Sequence, residues 1–406
     1  MREGWKVVVL DDDPTGMQTV HGNWMITRWN EENISIALED SVPFFYVLTN
    51  SRAETPRRVG SMIEEIVKRI FSVNQRFGYK LPFISRSDST LRSHFPLEVE
   101  TICQVIEQSE GGAPDAFFVA PQYFECGRIT YGGTHYLSEG GVDTPTSETE
   151  FATDSVFPYE TSFLPDYIQA KSDGRIAADS VKSVSVDLLD GNHDASLDVL
   201  LKSLDGREAV VVNAVSYAQM NVFCQAVWRS VAEGKRFTFY SAASFVKSFA
   251  GVPDRPLLGK EIISKPGAGA VFIGSHVKRT SDQLNELLKN DAVEGIEVDV
   301  RLISEGRLRL KSILDRMRAA VESNKTPIIY TSREEIVDMD PDARQALGKQ
   351  VSDCLVLIAK QLPFTPQFCH RKGRYHFASG FGGRNGSRPG SCRRPDCSGS
   401  IRYNAA

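Results

Sequence analysis

The sequence predicts an α/β protein with two domains, each built on a mostly parallel sheet. Short, unbroken apolar runs alternate with helical patterns, which is typical of parallel strands buried on both faces. The chain has 406 residues, more than one hydrophobic core usually serves. A Gly- and Pro-rich stretch at 251–269 separates two such patterns and predicts a linker. We therefore expect domains at 1–250 and 251–368, followed by a tail at 369–406 of different composition.

The composition excludes several classes of protein. A net charge of −5 and a pI near 5.9 argue against a nucleic-acid binder, which usually carries a basic face. No apolar run approaches the roughly 18–20 residues of a membrane span, and we expect no secretory signal at the N-terminus. Seven scattered cysteines favour a reducing compartment over a disulfide framework. The sequence thus predicts a soluble, cytoplasmic enzyme that binds neither nucleic acid nor a membrane.

The first apolar run, Lys6–Leu10, ends in the turn Asp11-Asp12-Asp13-Pro14-Thr15-Gly16. Three adjacent carboxylates repel one another, so ionised Asp side chains there need a cation or hydroxyl donors. The Pro and Gly residues make the turn tight and end the strand. The alternative is a solvated acidic turn without function. Its position favours function, because ligands of α/β sheets bind at the carboxyl edge of the strands.

Two further apolar runs end in residues that can hold an anion. Phe44–Leu48 is followed by Thr49-Asn50-Ser51-Arg52, and Leu81–Ile84 is followed by Ser85-Arg86-Ser87-Asp88-Ser89-Thr90-Leu91-Arg92. Asp88 can orient a sugar hydroxyl, and Arg92 can form a bidentate pair with a carboxylate or phosphate. The Ser, Asp and Thr residues can equally form a helix N-cap with an ion pair to a nearby Arg. Three strands that end in this way predict a binding site better than any one of them does.

The rest of the first domain continues the alternation of strands and helices. The predicted helices lie near 59–71, 96–106, 195–204 and 217–234, and the predicted strands at 116–121, 184–186, 209–214 and 236–241, the last closing the sheet. The Gly-rich stretch 126–136 predicts either a loop over the substrate, with Arg128 or His135 facing it, or a plain β-hairpin. A lone histidine such as His135 is usually structural. The segment 137–170 predicts little regular structure.

The second domain opens with a strand–turn–helix pattern. The strand at 270–273 runs into Gly274-Ser275-His276, and a helix is predicted at 280–289. This order aims backbone N–H groups and a helix dipole at a phosphate, although the Lys-Ser/Thr of a Walker A loop is missing. Further helices are predicted at 311–323 and 342–361, with a strand at 327–331.

These motifs together resemble the four-carbon acid sugar kinase family, whose members act on threonate-type and 3-oxo-tetronate-type acids. Five patterns of the family have counterparts here. Asp12–Gly16 is similar to Asp-Asp-x-Thr-Gly, Thr49–Arg52 to Thr-x-Ser/Thr-Arg, and Asp88–Arg92 to Asp-Ser-Thr-Leu-Arg-Gly. Gly127–Tyr136 is similar to Gly-Arg…Gly-x-His-Tyr, and Gly274–Leu284 to Gly-Ser-His…Thr…Gln-Leu. Ser93 stands where the third pattern usually has Gly. The resemblance spans about 6–368.

The resemblance implies a substrate domain followed by an ATP domain, with the site between them. Residues implied to act on or bind the sugar acid are Asp12, Asp13, Arg52, Asp88, Ser89, Thr90 and Arg92. An Asp of the first turn, Asp12 or Asp13, would be the catalytic base, and the arginines would hold the acid's carboxylate. Gly274, Ser275 and His276 would contact ATP, with Mg²⁺ on its phosphates. We expect no metal held by the protein itself, and a homodimer is left open.

The chain departs from the family after residue 368. The family has a Lys-Gly-Gly-Ile-Thr-Ser phosphate loop here, whereas this chain has Cys369-His370-Arg371-Lys372-Gly373-Arg374-Tyr375-His376-Phe377. Codons for these nine residues, shifted by one base, can encode Val-Ile-Ala-Lys-Gly-Gly-Ile-Thr-Ser. The segment beyond Cys369 has no Leu, Val, Met, Trp or Glu, so it lacks the apolar residues needed to order itself. We therefore expect an aberrant, disordered tail at 369–406 that arises from a frame or splice error.

Two other functions fit the bare pattern. One is a metal-dependent enzyme that uses the triple-Asp turn, and the other is a non-catalytic protein that binds a sugar acid. The sequence leaves open the stereochemistry of the acid, the hydroxyl that is phosphorylated and the oligomeric state.

Overall fold

The computed structural model describes residues 3–154, 156–191, 194–256, 267–275, 278–334, 341–367, 369–372 and 400–402. The chain divides into two units, the first comprising Met1–Arg255 with Ser400–Ala405 and the second covering Pro256–Gly399. Among the described residues, no helix has both the length and the apolar character that a membrane crossing needs.

The strands are β1 (Val7–Asp11), β2 (Trp24–Ile26), β3 (Phe44–Leu48), β4 (Phe83–Arg86), β5 (Ala116–Ala120), β6 (Arg128–Tyr131), β7 (Thr134–Glu139), β8 (Val142–Pro145), β9 (Lys182–Val184), β10 (Glu208–Val212), β11 (Phe237–Ser241), β12 (Ala270–Ile273), β13 (Val293–Val298), β14 (Thr326–Thr331), β15 (Cys369–Lys372) and β16 (Ser400–Arg402).

The α-helices are α1 (Glu31–Glu39), α2 (Pro56–Asn74), α3 (Leu97–Glu110), α4 (Leu164–Lys171), α5 (Val186–Leu189), α6 (Asp194–Ser203), α7 (Tyr217–Ala232), α8 (Ala243–Phe249), α9 (Lys278–Leu287), α10 (Val300–Ser304), α11 (Leu310–Glu322) and α12 (Pro341–Lys360). Short 3₁₀ turns lie at Ser51–Ala53, Phe124–Cys126, Thr146–Glu148 and Ala178–Ser180.

The first unit is built on a sheet with the strand order β16-β2-β3-β1-β4-β11-β5-β10-β9. All neighbours pair in parallel except β16, which runs antiparallel to β2. The continuous apolar runs predict this, since every residue of β1, β3 and β5 is buried. The chain leaves β1 towards β3 and later returns to β4 on its other side. Beyond the carboxyl ends of the strands at such a reversal, here β1 and β4, α/β proteins bind ligands.

The prediction that 236–241 closes the sheet is wrong. β11 lies inside the sheet, between β4 and β5, and pairs in parallel with both. All five of its residues are buried. The rings of Phe237 and Phe239 lie 5.1 and 5.7 Å from the ring of Phe118 on β5. Its aromatic character suits a strand covered on both faces.

The Gly-rich stretch forms a β-hairpin rather than an irregular loop. β6, β7 and β8 make a small antiparallel sheet in that order. The segment 137–170 is more regular than predicted, because it contains β8 and helix α4. The polar composition of the segment hid α4, which buries Leu164, Tyr167 and Ile168.

The second unit has a parallel sheet with the strand order β13-β14-β12-β15. Its core contains Phe272, Ile329, Met317 and Leu355, contributed by two strands and by helices α11 and α12. The sequence did not predict β13, of whose six residues only two are buried. Both units thus have α/β folds with mostly parallel sheets, and the predicted fold class is confirmed.

Only two pieces of the predicted tail are described. Cys369–Lys372 forms β15, parallel to β12, and Ser400–Arg402 forms β16. The rest of 369–406 lies outside the described residues, so the character of the tail as a whole stays a prediction, as do the domain limits.

Candidate functional site

Three strands of the first sheet deliver their polar ends to one place. The pairing register sets Asp11 at the end of β1 opposite Leu48 of β3 on one side and Arg86 of β4 on the other. The turn after β3 is tied to β1, because both the amide and the hydroxyl of Thr49 donate to the carbonyl of Asp11, each at 2.9 Å. Asn50 then turns the chain in the left-handed region, with φ of 53°. This turn places Arg52 over the end of β1.

Arg52 is the centre of the cluster. Its guanidinium lies 2.9 Å from Asp12 Oδ2, 2.6 Å from Asp13 Oδ2 and 3.5 Å from Asp88 Oδ1. The Arg52 side chain is 7% exposed, and the Asp12 side chain is 1% exposed. One buried cation therefore links the turn after β1 to the turn after β4. Its positive charge offsets the repulsion among the carboxylates of the triple-Asp turn.

A second buried arginine, Arg86, supports the first. Its Nη1 lies 3.6 Å from Asp11 Oδ1 and 3.6 Å from Asp12 Oδ1. The predicted site residues do not include Arg86, because its role depends on which strand lies beside β4. Gly16 packs so closely that a Cβ there would lie 2.0 Å from Asp11 Oδ2, and only glycine fits.

The turn after β4 forms the far side of the cluster. Arg92 Nε donates to Asp88 Oδ2 at 2.8 Å and to Thr90 Oγ1 at 3.0 Å, and the Thr90 hydroxyl also donates to Asp88. Arg92 Nη1 reaches Asp154 Oδ2 at 3.4 Å. Of the predicted alternative, a helix cap with an ion pair to a nearby Arg, the ion pair forms between Asp88 and Arg92. The cap does not form, since α3 has Pro96 at its N-cap without a side-chain cap bond.

The four aspartates differ in protonation. Burial raises the pKa of Asp11 to about 7, against the opposing pull of Arg86. Burial also raises the pKa of Asp12 well above its ordinary value, although Arg52 and Arg86 counteract it. Burial acts the same way on Asp13, but Arg52 and two hydrogen bonds from Thr15 outweigh it and leave its pKa low. Arg52 and Arg92 likewise overcome burial and hold the pKa of Asp88 low.

His135 joins the hairpin to this cluster. It is fully buried, with Nε2 2.8 Å from the carbonyl of Ser89 and Nδ1 2.9 Å from the hydroxyl of Thr130. A carbonyl only accepts, so Nε2 carries the proton and Nδ1 accepts from Thr130. Burial lowers the pKa of His135 to about 4, with Arg128 adding to the shift. The histidine is therefore a neutral structural link, and Ser89 takes part through its backbone.

This burial predicts a pH effect on stability. In the unfolded chain His135 protonates near pH 6.5, and in the folded chain near pH 4. Between these values the unfolded state binds more protons, so stability falls as the pH falls, by about 3 kcal/mol in total. His135→Gln should lose this contribution, and its stability relative to the wild type should improve between pH 6.5 and 4.5. Urea unfolding followed by Trp fluorescence measures this in the first unit, which holds all four Trp residues. If the free energies of unfolding of the two proteins changed with pH in parallel, this prediction would be contradicted.

Glu98 is a buried carboxylate that the sequence analysis missed. It lies in the first turn of α3 and is 4% exposed. Its Oε2 accepts hydrogen bonds from Ser85 at 2.9 Å and Ser87 at 3.3 Å. Ser85 and Ser87 alternate with Arg86, so they face the opposite side of the sheet from the arginine. Polar residues on both faces of an otherwise apolar strand are the one local signal that such a partner exists.

In the second unit, Gly274 and Ser275 lie at the carboxyl end of β12. The Ser275 hydroxyl is 3.1 Å from the hydroxyl of Thr280, which is buried in α9. Arg333 donates to the Ser275 carbonyl at 2.7 Å and to the Thr331 carbonyl at 3.1 Å. The third predicted residue of this set, His276, lies outside the described residues.

The first-unit cluster can bind a polyhydroxylated, charged molecule, since it offers carboxylates to hydroxyls and guanidiniums to an anion. The described part of the chain contains no group of three or more His, Cys, Asp or Glu residues arranged to hold a metal ion. Guanidinium groups occupy the space between the aspartates, in the place that a cation would take.

Comparisons with known proteins agree with this division. A model of a sugar-binding N-terminal domain matches residues 7–249, and a model of a nucleotide-binding C-terminal domain matches residues 270–370. No curated protein matches the chain.

Solved structures from Haemophilus influenzae and Salmonella typhimurium LT2 show the same fold at low sequence identity. A Haemophilus influenzae protein of the DUF1537 family is 17% identical with a TM-score of 0.54, and the match covers 87% of this chain and 82% of that one. A Salmonella typhimurium LT2 protein, provisionally described as a tRNA synthase, is 14% identical with a TM-score of 0.58, over 89% and 83% of the two chains. A Bordetella bronchiseptica DUF1537 protein, crystallised with citrate as a domain-swapped dimer, is 20% identical with a TM-score of 0.45, over 88% and 80%.

The sugar-binding model alone matches more than half of the chain, and the nucleotide-binding model follows it in the order that the motifs imply. The predicted resemblance is thereby confirmed, and the chain belongs to the four-carbon acid sugar kinase family.

Proposed function

We propose that the chain phosphorylates a four-carbon sugar acid of the threonate, erythronate or 3-oxo-tetronate type, with ATP as the donor. The observation that carries this proposal is the buried cluster of Asp12, Asp13, Asp88 and Arg52 at the carboxyl edge of the sugar-binding unit. Such a cluster suits a small molecule with hydroxyls and a negative charge. The same chain carries a nucleotide-binding domain, which supplies the donor.

Within this cluster we assign the base to Asp12. Arg52 and Arg86 face its carboxylate, but neither of its oxygens accepts a well-aligned hydrogen bond from the described residues. A raised pKa suits a group that takes a proton from a hydroxyl near neutral pH. Asp13 has a lowered pKa and accepts from the Thr15 amide, so it stays ionised and orients Arg52. Asp88, also ionised, would accept from a second hydroxyl of the sugar, beside Thr90.

For the nucleotide, Gly274 and Ser275 would hold phosphate oxygens at the end of β12. The residues fit this role, because α9 begins only a few residues later and its first amides have no helical partner. Mg²⁺ would enter bound to the phosphates, since this ion usually keeps several waters and few protein ligands. It would neutralise charge that develops on the transferred group. The roles of Ser275 and His276 are part of this proposal.

We also propose that this chain turns over slowly. The nucleotide-binding match ends at residue 370, where the sequence leaves the family pattern. The polar run Cys369–Lys372 stands beside β12, in the place of an apolar strand and the start of a Gly-Gly phosphate loop. Without that loop, backbone donors to the phosphates are lost, whereas the sugar-acid site in the first unit remains.

The test is ATP consumption with D-threonate, L-threonate, D-erythronate and the 3-oxo acids, and without any acid. We expect slow consumption with one of these acids and none in its absence. Acid-dependent turnover without ATP would favour a metal-dependent enzyme instead. Calorimetric binding of an acid without turnover, in a protein whose genomic frame proves intact, would favour a non-catalytic binding protein.

A further inference from the structure

Arg128 lies at the start of β6 and reaches the edge of the sugar-acid cluster. Its guanidinium carbon is 5.6 Å from the centre of the Phe151 ring, and that of Arg92 is 4.9 Å from the same ring. Two guanidiniums thus lie against one aromatic ring, one from the hairpin and one from the turn after β4. Arg92 is tied to Asp88, so Arg128 lies next to the residues proposed to hold the substrate.

Arg128 differs from the other arginines of the cluster in its charge partners. Arg52, Arg86 and Arg92 each lie within 4 Å of at least two carboxylates. No ion pair joins Arg128 to a carboxylate in the described part of the chain. One Nη donates to the Cys126 carbonyl, and Nε is buried without a hydrogen-bond partner. A buried N–H of a cation without an acceptor is costly, and an anion bound beside Arg128 would offset this cost.

The backbone holds Arg128 firmly at this place. Its amide donates to the Tyr123 carbonyl at 2.9 Å, and its carbonyl accepts from the Tyr123 amide at 3.0 Å. Gly127 before it has φ of 69°, and a Cβ there would lie 2.1 Å from the Ser138 carbonyl oxygen. His135 joins the neighbouring strand to Ser89. The backbone that carries this guanidinium is thus held in place by hydrogen bonds and close packing.

We propose that Arg128 is the residue that recognises the carboxylate of the sugar acid, assisted by Arg92, and so separates acids from neutral polyols. This inference rests on the proposed function. Arg52 and Arg86 at the centre of the cluster are already paired with aspartates, so they have less positive charge left for a substrate carboxylate than Arg128 has. A planar guanidinium without a carboxylate partner can instead bind a carboxylate through two parallel hydrogen bonds.

The experiment is calorimetric binding of D-threonate, L-threonate and D-erythronate, and of the matched polyols threitol and erythritol, to the full chain. Arg128→Met should weaken binding of the acid by about 10- to 100-fold, the worth of hydrogen bonds to a charged group, and leave polyol binding unchanged. Arg128→Lys keeps the positive charge but not the planar guanidinium with its two parallel N–H donors. Its affinity for the acid should therefore fall less than that of Arg128→Met. Arg57→Met, an exposed arginine on α2, is the matched control and should bind like the wild type.

Each outcome decides the matter. Wild-type affinity for the acid in both Arg128 variants would overturn the role of Arg128 and leave the proposed function standing. An equal loss in Arg57→Met would overturn it too, because the effect would then be one of net charge. If the wild-type chain binds none of the acids, the proposed function fails and this inference with it. Circular dichroism of each variant shows that the fold is kept, and a loss of acid binding by Arg128→Lys alone supports the proposal if Arg128→Met unfolds.

Discussion

Translating the chain in the shifted frame after residue 368 should raise ATP-dependent turnover at least about a hundredfold. The shifted frame encodes Val-Ile-Ala-Lys-Gly-Gly-Ile-Thr-Ser from residue 369 onward, so its first residues would replace Cys369–Lys372 beside β12. Each oriented donor to a transferring phosphoryl group is worth about 2.7–4 kcal/mol, so even one recovered amide accounts for this factor. The measurement is kcat with the preferred acid for the two chains, prepared and assayed side by side.

Acid affinity is the internal control of this comparison. The residues of the sugar-acid cluster all precede residue 369 and are the same in both chains, so calorimetry should show the same Kd for both. If both chains turn over equally, the loop is dispensable and the slow turnover proposed here is wrong. If neither does, the substrate class is wrong. Genomic DNA that offers no frame encoding this loop would remove the basis of the frame hypothesis.

Arg52→Met should destabilise the first unit by about 3–5 kcal/mol at pH 7, the usual cost of leaving buried charges without their partner. Arg52 is the common partner of Asp12, Asp13 and Asp88, and all three side chains are largely buried. Met has a similar length and keeps the packing of the aliphatic stem. Urea unfolding monitored by Trp fluorescence reports the first unit alone, and the exposed Arg57→Met provides the control.

The loss of stability in Arg52→Met should also depend on pH, whereas a loss caused by packing alone would not. Without Arg52, burial raises the pKa of the orphaned carboxyls above their unfolded value near 4. The folded state then binds more protons than the unfolded state, so the variant gains stability as the pH falls from 7 to 5. A pH-independent difference from the wild type would show that the guanidinium acts through packing rather than charge.

The strands were predictable where burial is complete and the run is apolar. β1, β3, β5 and β12 have every residue buried, and each was found from its composition. β2 is only three residues long, and β13 is half-exposed with a Gly in its middle, so neither carries a clear apolar run. The position of β11 depends on long-range pairing, which no local pattern encodes.

The site shows the same limit. Asp12, Arg52 and Asp88 could be placed together because each follows a strand of one parallel sheet. Glu98 could not, since its link to Ser85 depends on how α3 packs beneath β4. Arg128 was noticed in a Gly-rich stretch, but whether the stretch covers the site is decided by the buried bond between His135 and Ser89. Residues that act through tertiary packing leave little trace in their own neighbourhood.

The place of β11 also bears on how the chain is made. Phe239 pairs with Ile84 of β4, and Phe237 pairs with Ala116 of β5. The middle of the sheet is therefore completed by β11, a strand that is synthesised long after both of its neighbours. A nascent chain that has emerged only as far as β10 holds two half-sheets, one ending at β4 and one at β5. Each exposes an unpaired edge, and such edges recruit strands of other chains. The newborn protein should therefore depend on chaperones until residue 241 has left the ribosome.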